Sequence, residues 1–203
     1  MLTMTLALLT QAATLDADPA GAAMTCAAAT GAAATERDST IVLTAHLTHF
    51  VMQAAKANPG TQSFLDRTNA LIDQVGKPNM PTAEQARALL PLCDQRFPLA
   101  RRANTVQLPA DLFERDTLCL GTLGILMGAA QQLEEDGDAT EAKRLKASYD
   151  TYTARLTDAR IVAAGIKTDV QFAQRMGDAL KASLTIGNPD QIERACTAAL
   201  VKS

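Results

Sequence analysis

TLCLGTLGILMGAA, residues 117–130, is the most apolar run of the chain beyond its amino terminus. Small and large residues alternate in it, with Cys119, Gly121, Gly124 and Gly128 set among Leu, Ile and Met, and this texture predicts a helix buried on all sides. Pro109 suits a first helical turn, Glu114, Arg115 and Asp116 suit solvated early positions, and Gly137 after Glu134 and Glu135 supplies a stop. The helix is therefore expected from Pro109 to Asp136. Its uncharged centre, Thr117 to Gln132, falls short of the roughly 20 apolar residues a bilayer demands, and charges crowd both ends. The run is read as the centre of a helical bundle, without a transmembrane span in the mature chain. The GxxxG of Gly124 and Gly128 then marks places where another helix comes close.

The rest of the 203-residue chain agrees with that reading. Hydrophobic residues make up 47% and aromatics only 3%, with no Trp; Ala and Leu dominate, which favours helices and disfavours strands. No stretch shows sustained period-2 alternation. A net charge of -3 with interspersed signs excludes nucleic acid as a partner, because phosphate binding needs a concentrated basic surface. The one basic cluster, Arg96, Arg101 and Arg102, is too small to reverse that.

The opening MLTMTLALLTQAA, followed by LDADPAG, has the apolar segment and small residues of a secretory signal, with a cut fitting after Ala12, though no positive charge precedes it. Residues 1–17 are read as this segment, and the mature chain as periplasmic or secreted. The four cysteines, Cys26, Cys93, Cys119 and Cys196, are never closer than the 26 positions between Cys93 and Cys119. This spacing excludes zinc ribbons and haem attachment, which need CxxC and CxxCH. Dispersed and even in number, they read as two disulfides.

The pairing follows from an order of features shared by the two halves. Gly31 stands five positions after Cys26, and Gly124 five after Cys119. FLDR (Phe64 to Arg67) answers FAQR (Phe172 to Arg175), VGKP (Val75 to Pro78) answers IGNP (Ile186 to Pro189), and each half ends with a helix bearing Cys93 or Cys196. Two similar four-helix units, 18–98 and 109–203, are expected around a connector at 99–108. They predict the bridges Cys26 to Cys93 and Cys119 to Cys196. The wider stretch Arg96 to Leu108, with its Pro and Arg residues, is read as draped over the surface.

Helix punctuation gives about eight helices, an all-α fold. In the first unit they are Ala20 to Ala34, then Asp38 or Ser39 to Ala57, a third capped by Thr61 and running to Val75, and a fourth opened by a capping box of Thr82 and Gln85. In the second unit the central helix is followed by one from Asp138 to Ala164, one capped by Thr168 that buries Val170, Phe172, Met176 and Leu180, and one opened by Asn188, Pro189 and Gln191.

Chemistry is sparse. His46 and His49, three apart on one helix, can both reach a divalent ion such as Zn, Cu or Ni, with Glu36 or Asp38 as the nearest third ligand, but they flank the apolar stripe as half-exposed boundary residues would. There is no GxSxG, no phosphate loop and no EF-hand order in the acidic run Glu134 to Glu141. No catalytic residue and no cofactor is assigned. Arg101 and Arg102 can hold an anion or a partner's carboxylate, but within this connector they read first as solvated surface residues. The leading expectation is an exported, disulfide-stabilised, non-enzymatic protein that binds a protein, a peptide or an apolar ligand between helices. The alternative is a divalent-metal-binding protein or metal-dependent enzyme using His46 and His49; a carboxylate-based hydrolase is a weaker third.

Overall fold

The computed structural model describes residues 14–75, 80–135 and 139–201, and these are all-helical, without a strand. The helices are α1 (Pro19–Ala33), α2 (Thr40–Ala57), α3 (Phe64–Ile72), α4 (Ala83–Arg96), α5 (Leu112–Glu135), α6 (Ala139–Arg155), α7 (Asp158–Ala163), α8 (Asp169–Ser183) and α9 (Pro189–Val201). Most of them start where a short polar side chain can take up an orphan amide. Ser39 accepts from Val42 N at the start of α2, and Thr82 and Gln85 bond reciprocally at the start of α4. Asn188 and Gln191 do the same around Pro189 at the start of α9.

Four local expectations are corrected. The third helix is capped by Ser63 rather than Thr61 and ends at Ile72. The central helix starts at Leu112, three residues after Pro109, because Asp111 accepts from both Phe113 N and Glu114 N at 2.9 Å. The helix expected up to Ala164 breaks after Arg155, where Leu156 turns into the core and Thr157 caps α7. Val170, expected inside, is 76% exposed at the start of α8. The expected signal segment lies largely in residues 1–13, outside the described residues, as do Asp136, Gly137, Asp138 and the Gly76 to Pro78 part of one repeat match.

Both bridges form between the cysteines named above, Cys26 with Cys93 (Cα–Cα 5.6 Å) and Cys119 with Cys196 (5.7 Å). Each ties α1 to α4 or α5 to α9. No helix among the described residues is long and apolar enough to cross a membrane.

Two hydrophobic cores result. The larger collects Leu118, Cys119, Leu123 and Leu126 of α5 with residues of α6, α8 and α9, and it also takes Ile41, Ala45 and Met52 from α2 and Phe64 from α3. The smaller surrounds Cys26 and Cys93 and takes Phe50 and Val51 from α2. α2 therefore works on two faces, packing on α1 along one and on α5 and α9 along the other.

α5 is central but not buried all round, because Gly124 and Gly128 face solvent. The residue that permits close approach is Gly121, where a Cβ would lie 2.9 Å from Met176 Cγ and 3.3 Å from Leu180; at Gly128 a Cβ would meet nothing within 4 Å. Opposite signs follow for one substitution. Gly121→Ala should destabilise the fold by about 1 kcal/mol, overpacking outweighing the gain in helix propensity. Gly128→Ala should stabilise it by about 0.5–1 kcal/mol. Urea unfolding of the two variants checks both, and equal shifts would contradict the packing assigned to α8.

Candidate functional site

The two histidines of α2 meet different surroundings. His46 is half-buried and lines a cavity of about 200 Å³ between α1, α2 and α4, together with Thr30, Asp38 and Arg101. His49 is fully buried, so the expectation of a half-exposed pair holds for His46 alone. The reason is the second face of α2: α9 and the turn before it cover the helix where the apolar stripe by itself implied an edge. His49 Nε2 lies 3.3 Å from Gln53 Nε2, and its Nδ1 finds no well-aligned partner among the described residues.

Burial pushes the His49 imidazole down from 6.5 to about 4; the Gly187 backbone favours the charged ring but does not offset burial, and His46 and Lys56 oppose protonation further. An unfolded chain takes up the proton first as pH falls, so this contribution to stability is complete above about pH 6.5 and is lost progressively down to about pH 4. The loss amounts to about 3 kcal/mol. In urea titrations across that window His49→Gln should show a shallower decline than the parent. Parallel declines would assign the acid sensitivity to other groups.

Within the cavity the charges are arranged as follows. Arg101 Nε lies 3.6 Å from Asp94 Oδ1, and both Arg101 Nη1 and Asp94 Oδ1 are buried without a hydrogen-bond partner among the described residues. Thr30, 6% exposed, has an equally unpartnered hydroxyl. At the mouth the exposed Asp38 Oδ2 accepts from Thr35 N at 2.7 Å and Thr35 Oγ1 at 2.9 Å, bonds that hold its carboxyl below the usual range. His46 is also shifted down, first by burial and then by Arg101, against the pull of Asp190, Asp94 and Asp38. At neutral pH the imidazole is therefore uncharged, and can accept or donate one hydrogen bond at either nitrogen.

Arg101 is held in place by the segment expected to be draped over the surface. Ala100 is buried and its carbonyl accepts from Asn188 Nδ2 at 3.0 Å, the Arg102 carbonyl accepts from Gln191 Nε2, and Asn104 Nδ2 donates to Ile186 O at 2.8 Å. The residues that open α9 thus also clip the connector. Arg102, paired with Arg101 in the sequence reading, is exposed and lies outside the cavity.

Among the described residues no group of three or more His, Cys, Asp or Glu side chains is placed to hold a metal ion. Asp38 shares the cavity with His46, whereas Glu36 is exposed and does not line it. A second, more open groove of about 600 Å³ runs between the start of α2, α6 and α9. Its charges are matched: Arg144 bonds Glu141 and the buried Glu193, and Arg194 bonds Asp190. Sequence spacing could have found Glu141 with Arg144 and Asp190 with Arg194, three and four apart on their helices. Thr30 carried no such signal, since what marks it is the lack of a partner.

No protein-family model, no curated protein and no solved structure matches this chain. Function is accordingly read from the site itself.

Proposed function

We propose that this chain is an exported, disulfide-stabilised helical protein that works by binding, without chemistry on its ligand, and that the ligand enters the cavity between α1, α2 and α4. One observation carries the reading. The cavity gathers four polar side chains, Thr30, Asp38, His46 and Arg101, against a wall that includes Ala33, Val42, Leu43 and Leu90. A small polar ligand suits such a lining. The apolar interhelical ligand expected from the sequence suits this space poorly.

Export is supported by sulfur chemistry. All four cysteines are in disulfides, the state that persists in oxidising compartments. The apolar and small-residue character of positions 1–17 points the same way. Native mass spectrometry of the protein isolated unreduced from its source tests both parts. A mature start near residues 13–18, two intact bridges and a released small molecule are the expected results. Free thiols in a cytosolic fraction would overturn export, and protein that carries nothing and takes up nothing would overturn binding.

A further inference from the structure

We infer that the connector after Arg102 is a docking edge for a second copy of this chain, the two connectors pairing antiparallel as β-strands.

Residues 103–109 run extended, with neither turn nor bend, between the clip at Arg102 and the approach to α5. Their side chains alternate. Val106 and Leu108 pack against the larger core and Asn104 Nδ2 reaches Ile186 O, whereas Thr105 and Gln107 are exposed. This is the period of a strand with one face covered, and it fixes which edge is open. The Arg102 carbonyl is turned toward Gln191 Nε2 of α9. Across a trans peptide the Ala103 N–H points the opposite way, and along an extended chain the backbone groups of Thr105 and Gln107 follow it. No backbone N–H or carbonyl of residues 103–108 bonds another backbone group among the described residues. A held, extended segment with an unpaired edge is a template for another strand.

The charges beside that edge select a second copy as its occupant. Antiparallel pairing that sets Val106 opposite Val106 places Thr105 of each copy opposite Gln107 of the other. It also carries the exposed Arg102 of each copy toward the exposed Asp111 of the other, because the connector is basic at its start and acidic at its close. The paired stretch itself, Ala103 to Leu108, holds no charge, so no like charges meet. Parallel pairing would set Arg102 against Arg102. The contact is isologous, closes after two copies, and brings Leu112, 57% exposed directly after Asp111, within its bounds. Such a short pair of strands makes a small interface, so the association is weak and reversible.

The test combines sedimentation equilibrium with amide hydrogen exchange on the oxidised full chain. The mass should rise toward twice that of the monomer between about 10 μM and 1 mM, the range of a weak contact. Over the same range exchange should slow at Thr105 and Gln107 while Val106 and Leu108 stay unchanged, since only the outer edge is engaged. Thr105→Pro removes one outward N–H from each copy and should weaken association about tenfold or more. Arg102→Glu, at an exposed position, should weaken it about tenfold and abolish its salt dependence. Asp111→Asn keeps the cap of α5 and should weaken it less. Circular dichroism checks folding, and Arg102→Glu decides the matter if Thr105→Pro disturbs the connector. A dimer indifferent to these substitutions, or slowed equally at odd and even positions, overturns the proposal. A monomer at every concentration also overturns it, whether the edge stays bare or is taken by an extended peptide of another protein.

Discussion

Replacing Cys119 and Cys196 together by serine should lower the stability of the folded chain by about 4 kcal/mol. The bridge closes a loop of 77 positions, and the entropy it removes from the unfolded chain has that magnitude at 25 °C. Both sulfurs are fully buried in the larger core, so two serine hydroxyls without partners would add to the loss. The same substitution of Cys26 and Cys93 opens a loop of 67 positions, and chain entropy alone separates the two bridges by only about 0.1 kcal/mol. Any larger difference between the variants therefore measures the two cores and not the loops. Guanidinium unfolding of both variants, with the slope fitted as well as the midpoint, makes the comparison. A loss under about 1 kcal/mol for Cys119/Cys196 would mean that the unfolded ensemble is already constrained without the bridge.

Arg144→Met should cost about 2 kcal/mol. Glu193 is 1% exposed, and its carboxylate accepts from Arg144 Nη1 at 2.6 Å, Arg144 Nη2 at 3.2 Å and Thr197 Oγ1 at 2.7 Å. Without the guanidinium a buried carboxylate keeps one hydroxyl as its support. Breaking a wholly buried pair typically costs about 3–5 kcal/mol, and the Arg144 side chain, 38% exposed, still feels solvent, so the smaller value is expected. Adding Glu193→Gln should recover most of the loss by removing the stranded charge. If the double variant is no more stable than Arg144→Met alone, the cost lies in lost packing of the arginine stem.

What could be read in advance divides along physical lines. Capping chemistry sits in neighbouring residues, so Thr82 with Gln85 and Asn188 with Gln191 were legible as helix starts. Ser63 and Thr61 are equally good caps by type, and the choice between them is made by where Phe64 must enter the core. Likewise the α6 pattern continued past Arg155 on paper, but Leu156 had to turn inward. Periodicity reports which face of α2 is apolar; it cannot report that a second face is covered by α9, and this is why His49 was misplaced. The candidate cavity is assembled from residues 30, 38, 46 and 101, on three separate segments and a clipped connector. Arg101 was visible as an anion holder through its charge, but Arg102 beside it looked the same, and His46 and Asp38 were visible only as metal ligands.

The two faces of α2 have a mechanical consequence. A helix that serves as party wall to both oily interiors cannot come away from one without exposing the other, so neither half has a finished surface of its own. Melting should follow a single sigmoid with matching calorimetric and van't Hoff enthalpies. Separately made fragments 14–98 and 109–203 should be poorly structured until mixed, and should then reassemble into a noncovalent complex with the helicity of the intact chain.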